Sequence, residues 1–382
     1  MRAFTQADQA DFFGRTAVVQ ELLKTLQKAI FPVSTITFAA NLKGTMTLSS
    51  TLAINKNLII RGPATGQLTL RGTRDQGELI SIGAHITVTI ARLTFSDPTP
   101  QIGEPIFSQG NLTVDGCNIT GNAQVSSSVA KLNEAVGGGI FSSGGTLIIN
   151  NSTIAHNTIN AEGSIGGGVA NNGGTLTITN SQIVDNTVIG TDHAAGGGGV
   201  ATVNSNKVTL TNTTIAGNTV KSSQSGGVAG GGIDSVGGAL SITNSAISGN
   251  SVTTSSGFAG GGGIANTGHM TITGTTISHN TAKSSQNDSI GGGISDSGIL
   301  SITDSTISDN SANASTTAPF GAAGGGITAI GTLKLDRTAI VGNTIMNNLG
   351  SAQGGGLFAD NPSVPNATLS LTNCTIANNT SQ

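Results

Sequence analysis

The chain has 382 residues, a formal net charge of −3, 57 glycines, only 9% charged residues, and neither Trp nor Tyr. With no Lys/Arg cluster it lacks the phosphate-binding surface that a nucleic acid partner requires. A hydrophobic fraction of 36%, with the aliphatic residues regularly spaced, excludes a disordered chain and suits a long thin core better than a large round one.

In chain order, residues 1–31 stand apart. The opening MRAFTQADQADFF carries Asp8 and Asp11 where a secretory leader needs a basic and then an apolar stretch, so no signal peptide is read. Val18, Val19, Leu22, Leu23, Leu26 and Ile30 share one helical face, with Lys24 and Lys28 near its end. This predicts a short α-helix that caps the open edge of the first β-coil. Residues 52–63, 66–72 and 85–95 alternate apolar and polar residues and read as irregular early coils.

A twelve-residue phrase then occurs nine times, first as Asn111–Asn122 and last as Thr368–Asn379, with starts 29 to 36 residues apart. Its positions 2, 4 and 9 are aliphatic except for Met270, while positions 3 and 5 are mostly Ser or Thr. Between copies, three glycines precede Ile, Val or Leu eight times, from Gly137–Ile140 to Gly354–Leu357. Strand-type alternation at a period near 30 residues leaves room for three short strands and three turns per coil, each coil burying its apolar edge on the next. The predicted fold is an all-β, right-handed parallel β-helix of about a dozen coils over residues 32–382. Cys117 and Cys374 occupy the same phrase position eight coils apart. At about 4.8 Å per rung they lie roughly 38 Å from each other, so two free thiols are expected.

Position 12 is Asn in all nine copies, and position 6 is Asn in five, with Gly116, Gly274 and Asp304 among the rest. Both columns are predicted to be structural turn ladders, because Asn, Gly and Asp accept left-handed backbone and bond locally. The glycine triplets are predicted to bend the chain before the next strand. No Gly-Lys-Ser/Thr follows any of them, so no nucleotide is expected. No run is long enough to span a membrane, and the last phrase ends in mid-pattern, as in a fragment of a longer array.

These repeats resemble right-handed β-helix proteins of the pectate-lyase-like superfamily over roughly residues 35–382. Gly-Gly-Gly-Ile paired with Ile-x-x-Asn is also similar to the paired motif of polymorphic outer-membrane proteins. That resemblance implies a secreted or surface-displayed, adhesin-like protein; here Ile119, Ile154 and their equivalents stand where that family has Phe. Residues 2–26 resemble the segment that precedes the nucleotide-binding loop of STAND-type NTPases.

Candidate chemistry is sparse. Coil stacking places His156 below Asp185 and His279 below Asp309 at position 11, and Asp304 below Arg337 at position 6. These pairs are the candidates for acid–base work, with a solvated turn and a surface ion pair as the default. Asp185, Asp192 and His193 are the one acceptor-rich neighbourhood; no metal and no cofactor is assigned. Phe107, Phe141 and Phe358 beside the glycine strands are read mainly as core, and Phe258 and Phe320 as loop residues. The outward pairs Thr177/Thr179, Thr209/Thr211, Ser241/Thr243, Thr271/Thr273 and Ser301/Thr303 form a flat uncharged grid that resembles the Thr-x-Thr arrays of ice-binding solenoids. Segments between position 12 and the next triplet vary most in length and are the expected recognition edge. The functional expectation is a non-catalytic scaffold for a glycan or surface protein. The alternatives are a polysaccharide lyase or hydrolase, or a fragment without independent function.

Overall fold

The computed structural model describes residues 34–382 except 65, 74–76, 98–103, 126–135, 162–164, 191–194, 224–225, 316–320 and 361–367. The helix and NTPase-like segment expected in residues 1–31 lie outside the described residues, as do Asp192, His193 and Phe320.

The chain is a right-handed parallel β-helix. Three sheets run its length, with 12, 12 and 11 strands. The first holds phrase positions 1–5, as in Thr175–Thr179, and the second positions 8–10, as in Gln182–Val184. The third comes after the glycine triplets, as in Val169–Asn172. Every pairing is parallel and in register, Leu176 on Val208 and Ile183 on Ile215, for example. Positions 2, 4 and 9 point inward and are almost fully buried from Leu112 to Ile340. Each such side chain contributes about 1.5–3 kcal/mol by leaving water, and a single column of them makes the main core.

Three sheets per coil are what the sequence predicts, but from Ala123 onward each coil carries more. After position 12 a strand such as Thr187–Gly190 runs outward, and a two-residue strand such as Ala195–Gly196 returns to the triplet. They stack into sheets of nine and six strands. Ile159, Val188, Val220 and Val252 form a second, thin core between them. The variable segment is thus largely a built lobe, and the differences in length fall in the chain between its outward and returning strands.

The lobe and the main coil meet at a neck. A Cβ on the second glycine of a triplet would stand 2.2 Å (Gly167) to 2.4 Å (Gly292) from the carbonyl oxygen of a glycine in the next coil. From Gly168 onward a Cβ on the third would stand 2.7–3.1 Å from the position-12 amide, as Gly168 would at 3.0 Å from Asn186 Nδ2. The triplet is glycine because two backbones and an amide column cross there. In the last coil Leu369, Leu371 and Ile376 are about half exposed, whereas Ile36, Phe38 and Met46 in the first are buried.

Candidate functional site

The two asparagine columns differ in kind. Position 12 is an internal ladder from Asn122 to Asn379. Each amide Nδ2 donates to the next Oδ1 at 2.7–3.0 Å. Nδ2 also donates to a position-9 carbonyl one coil back, Asn218 to Ile183 at 2.8 Å. Asn157, Asn186, Asn218, Asn250, Asn280, Asn310 and Asn343 are completely buried, so from Asn157 to Asn343 this column offers nothing to a ligand. Position 7 adds a second buried column, in which Ser152, Ser181, Ser245 and Ser305 each accept a backbone N–H from the coil below. Cys117 sits at its start and donates its thiol to Ile90 O at 3.4 Å. Burial pushes that thiol up to about 11, and both cysteines are free, as the spacing requires.

Position 6 is the exposed column. All nine residues there are left-handed, with φ from 46° at Arg337 to 60° at Gly116. Position 11 is left-handed as well, from 54° at His156 to 67° at Gly121 and Gly342. Asn, Asp and His are the side chains enriched in that conformation, which accounts for His156, Asp185, His279 and Asp309 by backbone geometry alone. The expected pairs do meet. His156 Nδ1 lies 4.0 Å from Asp185 Oδ2, and His279 Nε2 4.0 Å from Asp309 Oδ2. Every one of these four side chains is more than half exposed, and 4.0 Å is too long for a hydrogen bond. The turns carry solvated side-chain contacts of little energetic weight. Asp304 and Arg337 meet in a two-point contact, Nε–Oδ1 at 2.6 Å and Nη2–Oδ2 at 3.0 Å. Arg337 also touches Asp336. The guanidinium holds the Asp304 carboxyl below its ordinary value. Among the described residues no three His, Cys, Asp or Glu side chains gather as a metal-binding group.

The threonine grid is built as its spacing predicts. Thr177, Thr209, Ser241, Thr271 and Ser301 stack rung on rung, and Thr179, Thr211, Thr243, Thr273 and Thr303 form the parallel row. Ile148 precedes the first row, and Lys334 and Asp336 end both. Along the edge where the glycine sheet turns into this face lies an open groove of about 440 Å³, floored by Gly237, Gly238, Gly268 and Gly298 and flanked by His269 and Ile299. Ile299 is 45% exposed. Beneath the groove Asp296 is buried; its Oδ1 accepts Asn266 Nδ2 at 2.6 Å and its Oδ2 accepts Gly298 N–H at 3.1 Å. Burial pushes its carboxyl up to about 6, against those hydrogen bonds and the charge of His269.

Sequence reasoning passed over Asp296, although a signal exists. It occupies the third place after a triplet, where other coils have Ser142, Asn171, Thr202, Ser235 and Asn266. A lone carboxylate in a neutral column marks an altered environment. Asp234, one residue earlier in its own coil, is also pushed up to about 6 by burial. It lies on the outer side of the glycine sheet, close against Gly196. Phe107 and Phe141 face that same outer side, with ring centroids 5.4 Å apart. There they form a small separate cluster with Ala170, outside the main core, and Phe258 is exposed in its loop.

No protein-family description matches this chain, and neither does any curated protein. Among solved structures it is similar to the A-module of Azotobacter vinelandii mannuronan C-5 epimerase AlgE6, at 13% identity and a TM-score of 0.48 over 95% of each chain. The A-module of the AlgE4 epimerase from the same organism is 9% identical, with a TM-score of 0.44 over 94% of this chain and 95% of that one. Both likenesses are of general architecture. No helix among the described residues is long and apolar enough to cross a membrane.

Proposed function

We propose that this protein is a glycan-engaging β-helix, a non-catalytic scaffold of the surface or adhesin-like kind. The observation that carries the reading is the uncharged hydroxyl grid, held in register over five coils and continuous at its edge with the His269–Ile299 groove. A polymer of hydroxyl groups and short apolar ring faces finds donors and acceptors at about 4.8 Å steps on the grid, and an apolar contact at Ile299. Display outside the cell belongs to this reading and is tested by fractionating the native host.

The direct test is binding of the purified chain to an array of neutral and uronate-containing polysaccharides, beside the Thr209→Lys/Thr211→Lys variant. Lys334 already stands on this face in register with Ser301, so the variant should fold, and its charges stand up from the grid. Binding by the native chain and its loss in the variant supports the proposal. Undiminished binding by the variant removes the grid from it.

One observation favours a second reading, a carbohydrate-active enzyme. A buried carboxyl near 6 under an exposed imidazole, at the edge of an open groove, is a pairing suited to proton transfer. Polymer cleavage or isomerisation that disappears in both His269→Ala and Asp296→Asn would establish that reading in place of the scaffold.

A further inference from the structure

The asparagine ladder begins on a carboxylate. Asp97 lies one coil before Asn122 and behaves as a member of the column: its N–H donates to Asn122 Oδ1 at 2.9 Å, as that of Asn157 does to Asn186. Its Oδ2 accepts Gly72 N–H at 2.9 Å, as each ladder Oδ1 accepts the N–H below it. By the column's geometry its second oxygen takes the place of the amide nitrogen. That oxygen cannot donate upward to Asn122 as every amide above it donates to the next.

Two more oxygen-bearing side chains are buried beside it. Glu104 is 7% exposed and Gln124 3% exposed. Gln124 directs its Nε2 at Glu104 Oε1, 3.4 Å away, which turns its own Oε1 the other way. That oxygen is buried and makes no hydrogen bond. Asp97, Asn122, Gln124 and Pro105 line one small cavity of about 10 Å³, room for a single water or a bare ion. The site sits where the second lobe first branches from the main coil, at Ala123.

From this arrangement we infer a binding site for a hard divalent cation of the calcium type, held by the Asp97 carboxylate and Gln124 Oε1, with Glu104 behind. An all-oxygen set mixing carboxylate and amide oxygens is the donor chemistry calcium takes, and its coordination shell tolerates irregular geometry that magnesium does not. A bound ion would satisfy the Gln124 oxygen and the column's missing donor together, and would pin the start of the lobe to the ladder.

The experiment uses the full chain, stripped with chelator and titrated with calcium chloride alone, by calorimetry and by thermal unfolding. One calcium per chain and a midpoint that rises with calcium concentration are expected. Asp97→Asn places the ladder's own amide in the column, so it should fold. It should unfold in chelator no earlier than the native chain and lose both the calcium heat and the calcium-dependent rise. Gln124→Leu should weaken binding at least tenfold. Absence of heat up to about 10 mM calcium, beyond the 10⁻³ M of weak calcium modules, would leave the cavity to water and overturn the inference, as would undiminished binding by Asp97→Asn.

Discussion

Asn250→Ala tests whether the buried ladder, more than the visible turn asparagines, holds the coils together. The substitution removes four hydrogen bonds. Asn250 Nδ2 no longer reaches Ile215 O or Asn280 Oδ1, each at 2.9 Å, and its Oδ1 no longer receives Asn218 N–H and Nδ2, each at 3.0 Å. The Asn218 N–H and one of its amide hydrogens are left buried without an acceptor. At about 1–3 kcal/mol for each of these two orphaned groups, the expected loss is about 2–6 kcal/mol. Asn212→Gly is the control. Asn212 is exposed, keeps φ at 51°, and bonds Asn180 Oδ1 at 3.2 Å; glycine preserves that conformation, so the change should stay within about 0.5 kcal/mol. Urea unfolding of both variants and the native chain, read as midpoints at constant slope, gives the comparison. A cost below about 1 kcal/mol for Asn250→Ala, or one no larger than for Asn212→Gly, would refute the ladder as a principal constraint.

Asp234 and Asp296 both rise from 3.8 to about 6, so the folded chain holds their protons more tightly than the unfolded one. Their stabilisation is complete below about pH 4 and is lost as pH rises through 6, at up to about 3 kcal/mol each; thermal midpoints from pH 4 to 8 should fall, and Asp234→Asn/Asp296→Asn should flatten the profile. At the neck, Gly231→Ala puts a Cβ 2.3 Å from Gly262 O and 2.7 Å from the Ser251 backbone. It should cost more than about 3 kcal/mol or prevent folding, and a soluble variant of native midpoint would contradict the crossing. His156→Gly and His279→Gly relieve left-handed residues whose contacts with Asp185 and Asp309 are solvated, so the midpoint should hold or rise, and any polymer conversion should continue unchanged. Cys374 should react with a thiol reagent at pH 8 in the folded chain and Cys117 only on unfolding, a difference in labelling rate read directly by mass.

The stacking was legible because its chemistry is strict: an inward strand position admits Leu, Ile, Val or Met, and nine copies of one phrase state it repeatedly. Position 12 was legible as a ladder, though the sequence did not separate a buried column from an exposed turn. The absence of Gly, Asp or Ser there marks the difference, since only an amide can donate two hydrogen bonds and accept two at each rung, as Asn250 does. The lobe was hidden by its brevity, because two-residue strands such as Ala195–Gly196 carry no period to detect. The site candidates fared less evenly. The His/Asp pairs meet as stacking requires, and their residue types follow from backbone angle. Asp296 and Asp234 each stand alone in a column of other residues, so no repeat pointed to them.

The neck also governs how such a chain can change over generations. From Gly139 to Asn343 the stretch from the last glycine of a triplet to the next position-12 Asn stays between 17 and 19 positions, whereas the return from Asn to triplet runs from 11 (Asn157 to Gly168) to 17 (Asn122 to Gly139); the last coil, with 23 positions from Gly356 to Asn379, is the exception. Insertions and deletions have therefore gathered on the far side of the amide column. There they lengthen the connection between an outward and a returning strand, while the strands on either side keep their register. A duplicated coil can diverge at its tip while remaining interchangeable at its seam, so the array can diversify its outer edge one unit at a time and keep every hydrogen bond that stacks it.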